Sequence, residues 1–339
     1  MRTQSLLLAL TVPSLFVAAC GGDPPPPPNT PPPTTAAVVA APPAPAAPEP
    51  AKPAADPTPP APAAPKGPPP AFQLAGFQTP ESVLYDEAND RYLVSNINGK
   101  PLDADNNGYI SVVSPEGKMV TEKWIAGGQN KVTLNAPKGT AIAGGVLYVA
   151  DIDTVRMFDA KSGAPKGEHK VPGATFLNDV SAGPDGRVYV SDSGLNADFG
   201  PTGTDAIYAI EKGKLKTVAK DASLGKPNGL LAAKDGVWAV TFGTGELYRL
   251  DTKTIDGKAA KVDVVKLPKG QLDGIVMNGD QLFISSWEAS GIFKGKATGP
   301  FEMAFPGLKA PADLGLDKKR SRLLVPHFME NMIEAYDVK

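Results

Sequence analysis

The chain has 339 residues, with 34 Lys and Arg against 36 Asp and Glu. It carries no basic block that could neutralise a row of phosphates, so a nucleic-acid partner is excluded. A single cysteine rules out an intramolecular disulfide framework, and two histidines rule out a multi-histidine zinc centre unless both converge. Length alone suggests about two domains, but 22 of the 37 prolines fall between Asp23 and Pro70, which leaves 269 residues from Ala71 to Lys339 for a folded part.

At the amino end, Arg2 precedes an apolar run from Leu6 to Leu15, and the small residues Ala18 and Ala19 lead to Cys20. A charge, a short apolar run and small residues are the parts of an export signal, too short for a stable membrane span. Residues 1–19 are therefore expected to be a signal peptide. The VAAC segment resembles a bacterial lipobox, which implies an acylated Cys20, palmitate among its chains, holding the mature protein to the lipid membrane of the cell envelope. Gly21 in place of Asp after the cysteine, by resemblance to lipoprotein sorting, favours the outer membrane and the periplasm. Residues 20–70 are then a tether. A Pro/Ala segment without apolar periodicity cannot repay its ordering entropy, and at roughly 3.1 Å per residue it reaches up to about 150 Å when extended.

Past Ala71, short apolar and aromatic runs alternate with Gly, Asp, Asn and Pro clusters. RYLVSN from Arg91, GYISVV from Gly108, VLYVAD from Val146, RVYVSD from Arg187, AIYAI from Ala206, GVWAV from Gly236, ELYRL from Glu246, QLFISS from Gln281 and RLLVPH from Arg322 all read as strands. The folded part is expected to be all-β.

An internal repeat organises these strands. Six segments open on a Pro or Leu and run through a short apolar strand and a turn into a second strand: Pro80, Pro137, Leu177, Pro227, Leu272 and Pro311 begin them. Their second positions, Glu81, Lys138, Asn178, Asn228, Asp273 and Ala312, are spaced by 57, 40, 50, 45 and 39 residues. Six units of this period predict a six-bladed β-propeller over residues 71–339. One strand only, near Met332 to Val338, follows the last unit, so the run Ala71 to Phe77 is expected to complete the sixth blade. A β-sandwich of nine or more strands is the alternative, and it would not require the repeat.

In a propeller the innermost strands line the channel, so the six second positions converge. Two carboxylates and two amides make an all-oxygen site suited to Ca²⁺ better than Mg²⁺, with Glu81, Asn178, Asn228 and Asp273 as ligands. Asn and Asp beside Gly are, singly, ordinary turn residues.

On these residues, PESV, LNDV, PNGL and LDGI in this order, the chain resembles the SMP-30/gluconolactonase/LRE-like hydrolases, a group with paraoxonase and phosphotriesterase relatives, from Pro80 to Lys339. The resemblance implies a Ca²⁺ at the top of the channel and hydrolysis of a lactone or related ester, a small-molecule substrate. It implies that Asp273 activates water or attacks.

Lys138, in the same ring, is a cation that either handles the developing anion or neutralises Glu81 and Asp273 and replaces the metal. The paraoxonase histidine dyad has no counterpart, and His327 is a candidate substrate contact at a strand end. The segment DADNNGYI places Asp103, Asp105 and Asn107 as in a calcium loop, but Ser114 stands where the bidentate Glu belongs. It is a candidate second metal or rim site. Asn96, Asn98 and Trp287 are expected at the channel mouth, Trp287 as a flat apolar contact. The alternative function is a non-catalytic, calcium-stabilised envelope propeller that binds a glycan, peptide or protein. With 7% aromatic residues, many used in strands, a broad aromatic rim is not expected, and nothing in the sequence indicates oligomerisation.

Overall fold

The computed structural model describes residues 67–253 and 255–338. Cys20, the signal segment and nearly all of the Pro/Ala tether lie outside them. Twenty-four strands form six four-stranded antiparallel sheets, the predicted six-bladed propeller. The inner strands are Pro80–Asp86, Pro137–Ala143, Leu177–Ala182, Pro227–Ala233, Leu272–Asn278 and the short Gly315–Asp317. The second strands are Arg91–Asn96, Val146–Asp151, Val188–Asp192, Gly236–Thr241, Gln281–Ser286 and Arg322–His327. Outer strands such as Pro165–Lys170 are mostly exposed, whereas the second strands are nearly all buried. Burial on both faces is why the second strands are rich in β-branched and aromatic residues.

The apolar side chains gather in six separate clusters, each spanning neighbouring blades. The cluster between the last blade and the first joins Leu324, Ile333 and Ala335 to Val83, Tyr92 and Val94. Tyr92 also donates to Asp317 at 2.7 Å, and Arg320 bridges Asp317 and Asp90. Phe72–Ala75 closes the sixth sheet, pairing antiparallel with Met332–Asp337 in the register Phe72↔Ala335 to Ala75↔Met332. Its Phe72 ring stacks near Tyr92 and lies against Gly117, where a Cβ would sit 2.4 Å from the ring at a φ of +76°.

A second regularity fastens the loop ahead of the inner strand in several blades. The last residue of a second strand accepts backbone N–H groups from that loop. Asp151 takes Ala136 at 2.8 Å, Asp192 takes Phe176 at 3.0 Å, and Asn96 Oδ1 takes Gln78 at 3.0 Å. Asn96 spends its amide on the Val94 carbonyl and Ser111 as well. It is therefore a buried fastening of blade 1 and not the channel-mouth contact expected from its position.

Candidate active site

The ring positions project toward the axis because the ladder slips there. In blades 1 to 5 the pairing of inner with second strand is regular on either side and shifts between Pro80 and Ser82, Pro137 and Thr140, Leu177 and Val180, Pro227 and Leu230, and Leu272 and Ile275. The shifted residues include Glu81, Lys138, Asn178, Asn228 and Asp273. The dipeptides that read as turns are thus strand bulges, which re-aim side chains. Glycine after the ring residue permits close approach of the next blade: a Cβ on Gly229 would lie 2.2 Å from the Asp273 carbonyl, and one on Gly139 would lie 2.2 Å from Asp179 Oδ1.

Glu81, Lys138, Asn178, Asn228 and Asp273 line one cup together. All are buried, and one oxygen on each of Glu81 (Oε2), Asn178 (Oδ1), Asn228 (Oδ1) and Asp273 (Oδ1) has no hydrogen-bond partner. Asn178 donates its Nδ2 to Ser193 Oγ at 3.0 Å, and this leaves its carbonyl oxygen free. Buried polar atoms are normally satisfied. Four unsatisfied acceptors from four blades lining one cup fit a hard divalent ion. Among the described residues no group of three or more His, Cys, Asp or Glu is arranged to hold a metal; half of the fit comes from amides.

The electrostatics agree. Glu81 is held well above the usual carboxylate range, first by burial and then by the charges of Asp273 and Asp313. Asp273 is raised by burial and by Asp313, against the opposing influence of Trp287 and Asn228 beside it. Lys138 is pushed down to about 8 by burial, with Glu81 and Asp151 opposing. Its Nζ donates to the carbonyls of Pro101 at 2.8 Å and Ala136 at 3.1 Å and sits 4.7 Å from the centre of the Phe176 ring. Lys138 is thus fastened to backbone and not paired with a carboxylate, which weighs against its replacing an ion. Ala312, the sixth ring member, offers only backbone, its carbonyl accepting from Ser285.

His327 does not line the cup. It is buried with Nδ1 3.2 Å from Glu330, and its Nε2 lies 3.0 Å from Glu334 but off the hydrogen-bond direction. The next residue, Phe328, reaches the cup instead. In the loop before Tyr109, Asp103 and Asp105 are exposed, and Asn107 turns its amide nitrogen to Asp105 Oδ2 at 2.6 Å. The Asn107 Oδ1 is buried and has no hydrogen-bond partner. Asn98 donates to the Asn107 carbonyl at 3.1 Å, within the same loop.

The wall of the cup overturns one expectation. Phe176, Phe199, Phe242, Trp287 and Phe328 form an unbroken aromatic arc, neighbouring ring centres being 6.2, 6.4, 5.6 and 5.0 Å apart. Ile97 and Leu195 extend it. The repeat builds most of it: Ile97, Phe242, Trp287 and Phe328 each directly follow a second strand. In each, the backbone N–H donates to the residue before the repeat begins, as in Trp287 to Gln271 at 3.0 Å and Phe242 to Lys226 at 3.0 Å. The signal is the residue after each second strand, which reads by itself as loop.

A six-bladed propeller with an oxygen ring at one end of its axis is a recognisable class, and the sequence matches the model of the SMP-30/gluconolactonase/LRE-like region over residues 79–312. The chain belongs to that family. No curated protein matches its sequence. Among solved structures, a gluconolactonase from Xanthomonas campestris is similar at 16% identity, with 78% of this chain and 88% of that one covered and a TM-score of 0.58. A calcium-binding regucalcin from Agrobacterium tumefaciens shares 17% identity over 78% and 91% of the two chains, TM-score 0.56. A virginiamycin B lyase from Staphylococcus aureus shares 14% over 79% and 99%, TM-score 0.55. At such identities the likeness is one of fold.

Proposed function

We propose that this protein is a calcium-dependent hydrolase of lactones or related esters, held at the bacterial envelope through an acylated Cys20. The observation that carries the reading is the set of four unpartnered oxygens on Glu81, Asn178, Asn228 and Asp273 at the floor of an open cup. Family membership, the gluconolactonases among its fold relatives and the calcium-binding regucalcin support it. These four residues would hold the ion. When bound, it supplies Lewis acidity to a substrate carbonyl and stabilises the negative charge that develops there. Asp273 takes the proton from the attacking water through the carboxylate oxygen that does not hold the ion. Lys138, protonated below about pH 8, donates to the leaving oxygen.

Protein purified without chelator should contain one stoichiometric divalent ion and hydrolyse lactones, and chelator should abolish turnover. Asp273→Asn keeps an oxygen ligand and its volume but loses the base. Under saturating calcium its kcat should fall by about 10²-fold or more, typical of a lost general base. Wild-type turnover in the saturated variant removes Asp273 from the mechanism.

The aromatic arc favours a second reading, a calcium-stabilised propeller that binds a glycan, peptide or protein without chemistry. Absence of hydrolysis across a lactone and ester panel, in protein shown to contain the ion, selects it.

A further inference from the structure

The lining of the cup divides by chemistry: every charged or amide side chain belongs to the ring, and the rest of the wall is apolar. Besides the aromatic arc, the wall consists of Ile97, Leu195 and Pro101. Among the side chains lining that wall, the polar atom without a partner is Trp287 Nε1, a single donor, beside Asp273. The free space is about 370 Å³ counted out to the open mouth. Its outer end carries Phe199, 41% exposed.

We infer that the cup selects lactones bearing an unbranched alkyl substituent over polyhydroxylated sugar lactones. This deepens the hydrolase reading and rests on it. A sugar lactone brings a hydroxyl on nearly every carbon. The wall can satisfy one through the Trp287 indole, and each further hydroxyl would give up water for no replacement, a loss of roughly fivefold or more in affinity. An alkyl chain loses nothing on entering, and it covers aromatic faces that are otherwise wetted. A slender chain can lie along the continuous face of the arc, whose neighbouring rings touch one another. The ester head then stays on the floor with the polar ring, and the tail runs up the wall toward Phe199.

The test uses calcium-loaded protein and a δ-lactone series from valerolactone to dodecalactone, with glucono-1,5-lactone beside it. The expected result is a kcat/KM that rises about two- to fourfold per methylene over the first several carbons, and a gluconolactone value at least tenfold below that of the decalactone. Trp287→Ala should flatten the slope, and Trp287→Phe should restore much of it. A second measurement does not depend on turnover: titration calorimetry of nonan-1-ol into chelator-treated protein. Wild type should bind with a negative heat-capacity change, and Trp287→Ala should bind at least tenfold more weakly. Calcium-dependent hydrolysis that prefers gluconolactone, or is indifferent to chain length, overturns the inference and leaves the hydrolase reading standing. No hydrolysis of either series, with nonanol bound through Trp287, overturns the hydrolase reading and keeps the apolar selectivity of the cup. Neither hydrolysis nor nonanol binding overturns both.

Discussion

Lys138 is a buried amine whose charge is maintained by its neighbours more than by solvent. Burial lowers it to about 8, while Glu81 and Asp151 pull the other way. A cation bound beside Glu81 removes part of that support, so in the loaded protein the ammonium should titrate at about 8 or below. If Lys138 donates to the leaving oxygen, kcat falls as pH rises through that value, and Lys138→Met lowers kcat and abolishes the alkaline limb. Calcium affinity in the variant should stay equal or rise, since a positive charge has left the ring. A pH profile of kcat alongside calcium titration measures both. An alkaline limb that survives in Lys138→Met assigns it to another group. The identity of these residues was legible in the sequence because six equivalent positions recur. Asn96 and His327 misled because a polar residue at the end of a second strand looks like a mouth residue. In this repeat the position faces back into the blade, and the residue after it faces the ligand space.

At the scale of the element, the strands were legible because paired apolar runs with Pro or Leu openings are spaced at one period. The bulges were not. Lys-Gly, Asn-Gly and Asp-Gly carry the same local preferences in a turn and in a slipped ladder, and only the close approach of the neighbouring blade separates the two. The aromatic arc was illegible for a related reason, since its members come from separate blades and from two loops. The closing strand Phe72–Ala75 was deduced from a shortage of one strand, and it pairs where that shortage lies. It contributes four paired residues plus Phe72 and Leu74 against the cluster at Tyr92 and Ile333. Replacing both Phe72 and Leu74 with Ala removes two partly buried side chains and should cost about 3–5 kcal/mol, less than two fully buried truncations. The edge of Met332–Asp337 would be uncovered more often, so aggregation on heating should increase. Thermal melts with light scattering check this, and an unchanged midpoint shows that the last blade is stable with three strands.

For the whole molecule, the axis is a column of acids whose burial is unfavourable without a counter-ion. Asp313 is pushed up to about 7 by burial, and Asp179, Glu81 and Asp273 are raised in the same sense. A raised carboxyl stays protonated in the folded state while its unfolded counterpart ionises near pH 4. Unfolded chains then bind fewer protons, so stability falls as pH rises from about 4, and the share due to Asp313 is lost by about pH 7. Chelator-treated protein should show this decline in its thermal midpoint. Calcium at a hundred times its Kd should restore about 2.7 kcal/mol. A midpoint insensitive to both pH and calcium means the column is neutralised by other means. Anchoring belongs to this scale too: wild type should partition with membranes and carry lipid mass on its mature amino terminus, whereas Cys20→Ala should be released or left unprocessed. Identical partitioning of the two ends the lipoprotein reading.

The pinning of the mouth residues has a consequence for how such a surface can change. Ile97, Phe242, Trp287 and Phe328 are each held by a main-chain bond to the residue just before their own repeat opens, so the side chain is a passenger on a position the backbone secures. They stand on separate sheets, one to a blade. Preference for a ligand can therefore be rewritten one blade at a time, like tumblers in a lock whose casing is untouched, while the oxygen ring beneath keeps its geometry.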